Sequence, residues 1–297
     1  MQNERQFEAS GTVRTFTLSV PEPLENKKEV LPPHEKTSLF VPTRYLTELK
    51  VGFLPSSFSP QVFVTRNIEE LINTISKHGD TAKRDGEDGL EMDPTRQQII
   101  IYTMVICQEH LLWYRRAAKN ESRDGVLVHG EPRLQGRYSV GFGGHKTKED
   151  IVLSREELSF LRPGLGAIHD EVGTRLGLNR GLFTEVQEEI SVGRDGIKNL
   201  QLLGGFVDKR IEDPSLKVQV GEVHMGIAAA MEVDPQVVST LTLRESEIAE
   251  AWWVPLDKAK AELEKRQKDW EAKMGPKVEG WSEILIKEFW KDLRHKV

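Results

Sequence analysis

Three glutamates, spaced for one face of a helix, are the residues of this chain best suited to chemistry. Glu185, Glu188 and Glu189 lie three and four positions apart in a segment, 181–190, whose pattern predicts a helix. Side chains at those spacings share a face, where like charges repel by about 0.2–0.5 kcal/mol per pair. Hard divalent cations prefer carboxylate oxygens as ligands. A cation bound between the glutamates would therefore relieve this repulsion. The alternative is that the Glu-x-x-Glu-Glu face is only a solvated surface, which is common.

A glycine-rich segment lies before these glutamates in the chain. Gly143 and Gly144 follow a predicted strand at 138–142, and the pattern predicts that they form a turn continuing through His145. Glycine has no Cβ, so such a turn lets backbone groups approach a phosphate or a metal ion. Two glycines alone are weak evidence. Between a strand and an acidic helix, they indicate a loop that binds phosphate or metal.

Composition restricts the class of protein. The 297 residues can bury one large core or two modest ones, and a single cysteine, Cys107, excludes both an intramolecular disulfide and a thiolate zinc site. A net charge of −6 and a pI near 5.9 argue against a nucleic-acid partner. Neither a secretory signal nor an apolar run of about 18 residues is present. We therefore expect a cytoplasmic protein with no membrane segment and a small-molecule partner, and leave a homodimer open.

Strand and helix patterns alternate along the chain. Residues 98–107 and 111–116, rich in β-branched and aromatic side chains, predict a hairpin. Further strands are predicted at 138–142, 200–207, 218–233 and 252–256, and helices at 68–75, 155–161, 181–190, 257–273 and 281–293. The pattern predicts a flexible arm or an edge strand at residues 1–35. It predicts an N-terminal extension at 36–95. The mixture predicts an α/β (α+β) fold with a mixed sheet between helices.

These segments, in this order, resemble the Nudix hydrolases. The family signature is a glycine, five residues, a glutamate, seven residues, and then Arg-Glu-apolar-x-Glu-Glu-x-Gly-apolar. Gly144 and Asp150 have the spacing of its first half, and 184–192 largely matches its second half. Asp150 and Thr184 are 34 positions apart where the signature has 8, so about 26 residues, roughly 151–178, would be inserted.

The resemblance covers about 97–263 and implies a domain at 96–264, followed by a C-terminal helical segment at 265–297. Segment 221–226 is similar to the family's central strand, and 247–256 to its closing segment. By the same resemblance, the substrate is a nucleoside diphosphate derivative and the cofactor is Mg²⁺ or Mn²⁺. The implied metal ligands are the carboxylates of Glu185, Glu188 and Glu189 and the carbonyl of Gly143.

The resemblance also implies roles for individual side chains. Glu185 and Glu188 would serve catalysis at the metal, and Glu222 is the favoured general base, with Glu247 and Glu250 as alternatives. Arg115 or Arg116 would hold the diphosphate, and because strand side chains alternate, only one of them can face the site. His145 and Gly144 would contact the substrate, although a histidine that stabilises the turn explains His145 equally well. His224 in a strand is more often a satisfied core residue than a catalyst.

Three positions depart from the signature. Thr184 stands where the family has arginine, Asp150 where it has glutamate, and Ser191 where it has glycine. The usual arginine–glutamate pair cannot form from these positions, although Arg180 lies one helical turn before Thr184 and could replace the guanidinium. Two functions therefore stay open: a hydrolase of diphosphate linkages, or an inactive Nudix-fold module that binds a nucleotide or a protein. An isomerase of the same fold is disfavoured because Cys107 lacks the setting of a catalytic cysteine.

Overall fold

The structure is a computed structural model. It describes residues 37–47, 51–84, 86, 88–118, 122–123, 126–127, 134–145, 186, 190, 192, 196–211, 214–215, 217–238 and 248–294. The strands are β1 Thr37–Pro42, β2 Leu54–Pro55, β3 Val62–Thr65, β4 Asp80–Lys83, β5 Arg96–Cys107, β6 His110–Arg116, β7 Ser122–Arg123, β8 Val126–Leu127, β9 Tyr138–Ser139, β10 Gly141–His145, β11 Ile197–Asp208, β12 His224–Val233 and β13 Ile248–Pro255.

The helices are α1 Thr43–Thr47, α2 Ile68–His78, α3 Val220–Val223, α4 Pro235–Val238, α5 Ala259–Glu271, α6 Gly280–Ile284 and α7 Trp290–Arg294. A π-helical turn, Leu285–Phe289, joins α6 to α7, and 3₁₀ turns lie at Leu90–Met92 and Leu256–Lys258. The helices predicted at 68–75, 257–273 and 281–293 are confirmed. Among the described residues, no helix is long and apolar enough to cross a membrane.

Eleven of the described strands form one mixed sheet. Its main path runs β13-β6-β5-β12-β11-β3-β2, and β1 and β10 also pair with β5. β5 and β12 are parallel, whereas the other neighbours on this path are antiparallel. The predicted α/β (α+β) fold with a mixed sheet is confirmed. The region predicted as an N-terminal extension contributes β1 to β4 to this same sheet.

The predicted hairpin at the centre of the sheet is confirmed. β5 and β6 pair through Ile106 with Leu111 and Cys107 with His110. The two residues between them, Gln108 and Glu109, both have positive φ, at 44° and 59°. A two-residue turn needs this geometry to match the twist of the strands, so the turn is short and β6 begins one residue earlier than predicted.

Alternate residues of β5 point to two different cores. Ile99 and Ile101 belong to a cluster that includes Leu71 and Ile75 of α2, and we call this side the α2 face. Tyr102 and Met104 belong to a second cluster, which packs against the C-terminal helices, and we call this side the C-terminal face. The C-terminal helices contribute Ile284, Leu285, Ile286, Phe289 and Leu293 to it.

The predicted glycine turn is wrong at its start, because the glycines lie inside a strand. Gly143 pairs with Tyr102 and Gly144 with Ile101, and β10 ends only at His145. A Cβ on Gly143 would lie 2.5 Å from Cδ2 of Tyr102 and 2.8 Å from the carbonyl oxygen of Ile101. Such separations are shorter than a real Cβ tolerates. Glycine is therefore needed here because the Tyr102 ring lies across the strand.

The long strand predicted at 218–233 is also divided differently from the prediction. Residues 220–223 form α3, and β12 begins at His224 and continues without a break through Gly226. The backbone N–H of Gln219 donates to the Glu222 carboxylate at 2.8 Å, and a reciprocal bond completes a capping box. This local hydrogen bonding favours a helical turn over extended backbone. At Gly226, the absence of a Cβ makes room for the Phe206 ring.

Candidate functional site

The strands β10 and β12 lie on either side of β5 and bring two histidines together. His145 pairs with Ile100 of β5, and His224 pairs with Gln98 two residues away. Residues two apart on a strand point to the same face, so the two histidines and Gln98 share the C-terminal face. Glu91, in the 3₁₀ turn Leu90–Met92 just before β5, supplies a carboxylate at the same place.

Three side-chain atoms converge in this cluster, which we call the histidine cluster (Glu91, His145 and His224). The two histidine Nε2 atoms are 3.0 Å apart. The Glu91 Oε1 atom is 3.5 Å from Nε2 of His224 and 3.8 Å from Nε2 of His145. Groups of this kind are ligands for metal ions, so the cluster is a candidate metal centre.

Neighbouring groups determine the tautomer of His224 and the pKa of Glu91. Nδ1 of His224 lies 2.8 Å from the Val220 carbonyl oxygen, which can only accept, so Nδ1 carries the proton. Burial alone would raise the pKa of Glu91, but hydrogen bonding with His224 and the charges of His224, His145 and Arg84 hold that pKa well below its usual range. Glu91 therefore stays a carboxylate, and the Nε2 atom of His224 faces it.

Gln98 lies next to His224 on the buried side of the cluster. Its side chain is fully buried, and its Nε2 atom lies 3.1 Å from Nε2 of His224. Its Oε1 atom has no hydrogen-bond partner within the part of the chain that the structure describes. A buried amide oxygen without a partner is costly, and amide oxygen and nitrogen can be exchanged by a rotation of the terminal bond.

Sequence reasoning missed most of this cluster. Glu91 was given no role in the sequence analysis, and His224 was interpreted as a satisfied core residue. His145 was predicted as a substrate contact, which stays a prediction. His145 and His224 are 79 positions apart, and no local pattern in the sequence indicates that strand pairing would bring them together.

The two arginines predicted to hold diphosphate are both paired with carboxylates. Arg115 Nε donates to Glu250 at 2.9 Å, and Arg116 Nε donates to Glu279 at 2.7 Å. The Arg116 side chain is 11% exposed and Glu279 5%, whereas Arg115 is 21% exposed and Glu250 44%. Arg115 is therefore the more accessible of the two. Glu250, an alternative general base, is its ion-pair partner.

The Arg116 pair belongs to a buried polar network on the C-terminal face. The Tyr102 hydroxyl donates to Oε2 of Glu279 at 2.6 Å, and Ser139 Oγ donates to the same oxygen at 3.0 Å. Ser282 Oγ is within 3.1 Å of the Tyr102 hydroxyl. Burial and the nearby negative charge of Glu279 raise the pKa of Tyr102 well above its usual value. The phenol therefore stays protonated and serves as a donor in the core.

Glu222, the favoured general base, lies outside the sheet. It is an exposed residue of α3, two positions before β12 begins, so the prediction that it lies on the central strand is wrong. One of its oxygens accepts the hydrogen bond from Gln219 described above. Its catalytic role stays a prediction.

The predicted metal glutamates lie outside the described residues, but their neighbours do not. Glu185, Glu188 and Glu189 are not described, and neither are Asp150, Arg180, Thr184 and Glu247. The Ile190 N–H donates to the Val186 carbonyl at 2.8 Å, the bond of one helical turn. Both residues are fully buried and belong to the same cluster as Phe142 on the α2 face. The described part of the predicted helix is thus docked on the sheet.

Comparison with known proteins gives one sequence relative and several similar folds. No family model matches the chain. Protein YmaB of Bacillus subtilis (strain 168) is 24% identical over 196 residues, which are 66% of this chain and 72% of YmaB. Tm1382, named provisionally as a Nudix hydrolase, has a TM-score of 0.46 and 19% identity over 84% of this chain and 96% of its own. A hydrolase of the NUDIX family from Clostridium perfringens has a TM-score of 0.31 and 9% identity, over 66% of this chain and 97% of its own.

These solved structures carry the name of the family that the sequence resembles. At these low identities and TM-scores the likeness carries no argument about chemistry, which has to come from the residues of this chain.

Proposed function

We propose that this chain is a metal-dependent hydrolase of the Nudix type, which cleaves a diphosphate linkage in a nucleoside diphosphate derivative or a similar small molecule. The observation that carries the proposal is the packing of Phe142, Val186 and Ile190 in one hydrophobic cluster. Phe142 directly precedes the two glycines, Val186 directly follows Glu185, and Ile190 directly follows Glu189. Described residues beside both halves of the predicted signature therefore belong to one core, which supports the proposal.

Helical periodicity extends this support to the glutamates themselves. At about 100° per residue, the predicted helix would place positions 185, 188 and 189 within one sector, centred well away from Val186 and Ile190. We therefore expect the three carboxylates to lie together on the side that does not pack against the sheet. This is the arrangement that the sequence predicted from spacing alone.

The donor set fits the proposed cofactor, Mg²⁺ or Mn²⁺. Three carboxylates, from Glu185, Glu188 and Glu189, together with the Gly143 carbonyl, are all-oxygen ligands of the kind that hard divalent cations prefer. When bound, such an ion neutralises charge on the phosphate oxygens and lowers the pKa of a bound water.

Other residues of the chain would bind the substrate and move a proton. Arg115 is the better candidate for the diphosphate, because its guanidinium is partly exposed and its partner Glu250 is still more so. Arg116 is held in the buried network with Glu279 and is the weaker candidate. Glu222 is exposed, so its carboxylate could accept a proton from the attacking water if the substrate lies within reach.

Turnover by the full chain tests the proposal directly. Metal-stripped protein is incubated with Mg²⁺ or Mn²⁺ and a panel of nucleoside diphosphate derivatives, and the products are identified by mass spectrometry. We expect metal-dependent cleavage of at least one panel member. Glu188→Gln and Glu189→Gln should each lower kcat by on the order of 100-fold or more, the scale of a lost catalytic carboxylate.

Glu264→Gln provides the matched control, because Glu264 is an exposed glutamate of α5. Its activity should equal that of the unmodified chain. Absence of metal-dependent cleavage across the panel would favour the inactive binding module instead. Cleavage that neither Glu188→Gln nor Glu189→Gln reduces would place the chemistry elsewhere.

A further inference from the structure

We propose that the histidine cluster is itself a metal site, which takes a divalent transition-metal ion of the zinc class through Glu91, His145 and His224. The ligands lie on described residues of the C-terminal face and its edge, and the site uses none of the three glutamates of the proposed hydrolase. The inference goes beyond the proposed function, because it stands on a different donor set. Its four supports are the ligand geometry, the orientation of His224, the buried amide of Gln98 and the ligand chemistry.

The geometry of the three ligand atoms matches one metal ion. The sides of the triangle formed by Nε2 of His145, Nε2 of His224 and Oε1 of Glu91 are 3.0, 3.5 and 3.8 Å. The point equidistant from the three corners is about 2.0 Å from each, which agrees with zinc bonds of ~2.0–2.2 Å to imidazole nitrogen and carboxylate oxygen. The spacing of the three atoms therefore suits one ion at bonding distance from all three.

The orientation of His224 is that of a metal-binding imidazole. Its Nδ1–H donates to the Val220 carbonyl, so Nε2 is the ring atom that faces the cluster. Ligating histidines commonly have this second partner, which fixes the tautomer and the ring orientation. The Nε2 atom of His145 lies 3.0 Å away, so two nitrogen atoms face each other. A metal ion would bind both nitrogens in place of the hydrogen bond that this separation also allows.

Gln98 provides an independent observation that points to a ligand. Its fully buried amide directs one end at the cluster, and its Oε1 atom has no partner among the described residues. Rotation of the amide by half a turn places this oxygen 3.1 Å from Nε2 of His224, in the position now held by nitrogen. There it could bind the ion directly or through a water molecule. In that orientation the Gln98 oxygen lies beside the ion, and the amide nitrogen takes the place where the oxygen now lies.

The ligand chemistry selects the class of ion. Imidazole nitrogen suits zinc and its first-row neighbours, whereas Mg²⁺ prefers an octahedral set of oxygens and retains its waters. The side chains of His145 and Glu91 are 20% and 21% exposed. Two histidines and one carboxylate, open to solvent on one side, correspond to zinc sites that keep a position for an outside ligand.

Metal binding by the full chain tests the inference. Metal-stripped protein is titrated with Zn²⁺ by calorimetry and with Co²⁺ by visible absorption, which reports the coordination geometry. We expect one Zn²⁺ bound per chain with millimolar Mg²⁺ present. Glu91→Gln and His145→Ala should each weaken binding by on the order of 100-fold or more, since even an outer-shell partner is worth ~10–100-fold. These two ligands are partly exposed, so the variants should fold, as circular dichroism would verify.

His110→Ala is the matched control, because His110 lies at the β5–β6 turn and outside the cluster. It should bind Zn²⁺ like the unmodified chain, and so should Glu188→Gln, which separates this inference from the proposed hydrolase. Lack of saturable Zn²⁺ or Co²⁺ binding would overturn the inference. Binding that Glu188→Gln abolishes and His145→Ala leaves intact would overturn it as well, because the ion would then belong to the glutamates.

Discussion

The two faces of the sheet are built on different principles. On the α2 face, the buried residues Leu71, Ile101 and Phe142 pack with Val186 and Ile190 in a mainly apolar core. The C-terminal face has an equally apolar cluster, but it also buries a polar network around Glu279 and carries, near the end of β10, the partly exposed histidine cluster.

The difference shows in which part of the molecule the stability of the fold depends on charged groups. Burying an apolar group needs only shape, whereas a buried carboxylate or guanidinium needs partners that remove the cost of leaving water. Glu279 has three such partners, in Arg116, Tyr102 and Ser139. The C-terminal face should therefore be more sensitive than the α2 face to the loss of one polar atom.

The largest effect should come from removing the carboxylate of the buried network. Glu279→Ala leaves Arg116 largely buried without its carboxylate, and we expect it to lower the free energy of unfolding by about 3–5 kcal/mol. Urea denaturation measures the change. Glu250→Ala is the control, because it removes the partner of Arg115 at a more exposed site, where an ion pair is worth about 0–1 kcal/mol. Equal costs for the two variants would contradict the assignment of a charge-dependent core to this face.

A smaller effect should follow from filling the space at Gly143. Gly143→Ala places a methyl group against Tyr102 and the Ile101 carbonyl, which should cost about 1–3 kcal/mol as overpacking. Thermal or urea denaturation gives the value. Gly275→Ala should change stability by less than about 0.5 kcal/mol, because its new Cβ would meet nothing closer than 3.5 Å. Unchanged stability in Gly143→Ala would mean that the glycine serves only the approach of a ligand.

The smallest effect should be a change of pH dependence at α6. Burial raises the pKa of Glu283, but bonds from Lys287 and Arg210 hold it below its ordinary value of 4.5. Because the pKa is lower in the folded chain than in the unfolded one, the stabilisation is complete above that ordinary value and is lost as pH falls through the folded pKa. We therefore expect unfolding free energies to decline less steeply below about pH 4.5 in Glu283→Gln.

Urea titrations over a series of pH values would measure this decline. Glu264→Gln, which changes an exposed glutamate of α5, should follow the unmodified chain at every pH. A Glu283→Gln curve parallel to that of the unmodified chain would show that the ion pairs of α6 add no stability in acid.

The local spacing of apolar residues in the sequence determined most of the helices and strands. The β5–β6 hairpin, α2 and the C-terminal helices were predicted from apolar spacing and β-branched residues, because these patterns need only neighbours in the chain. Local reasoning failed at 220–223, where a capping box outweighs extended backbone. It failed again at Gly143, which was predicted to form a turn. Glycine is needed there because Tyr102, across the strand pair, leaves no room for a Cβ.

Tertiary structure alone decided what those elements bring together. The spacing of Glu185, Glu188 and Glu189 could be read from the sequence because one helical turn relates them. The histidine cluster could not, because Glu91, His145 and His224 meet only when β10 and β12 both pair with β5. Strand register is a long-range property, set by which residues each face buries. The sequence thus determined which groups can do chemistry, and the sheet decided which of them share a site.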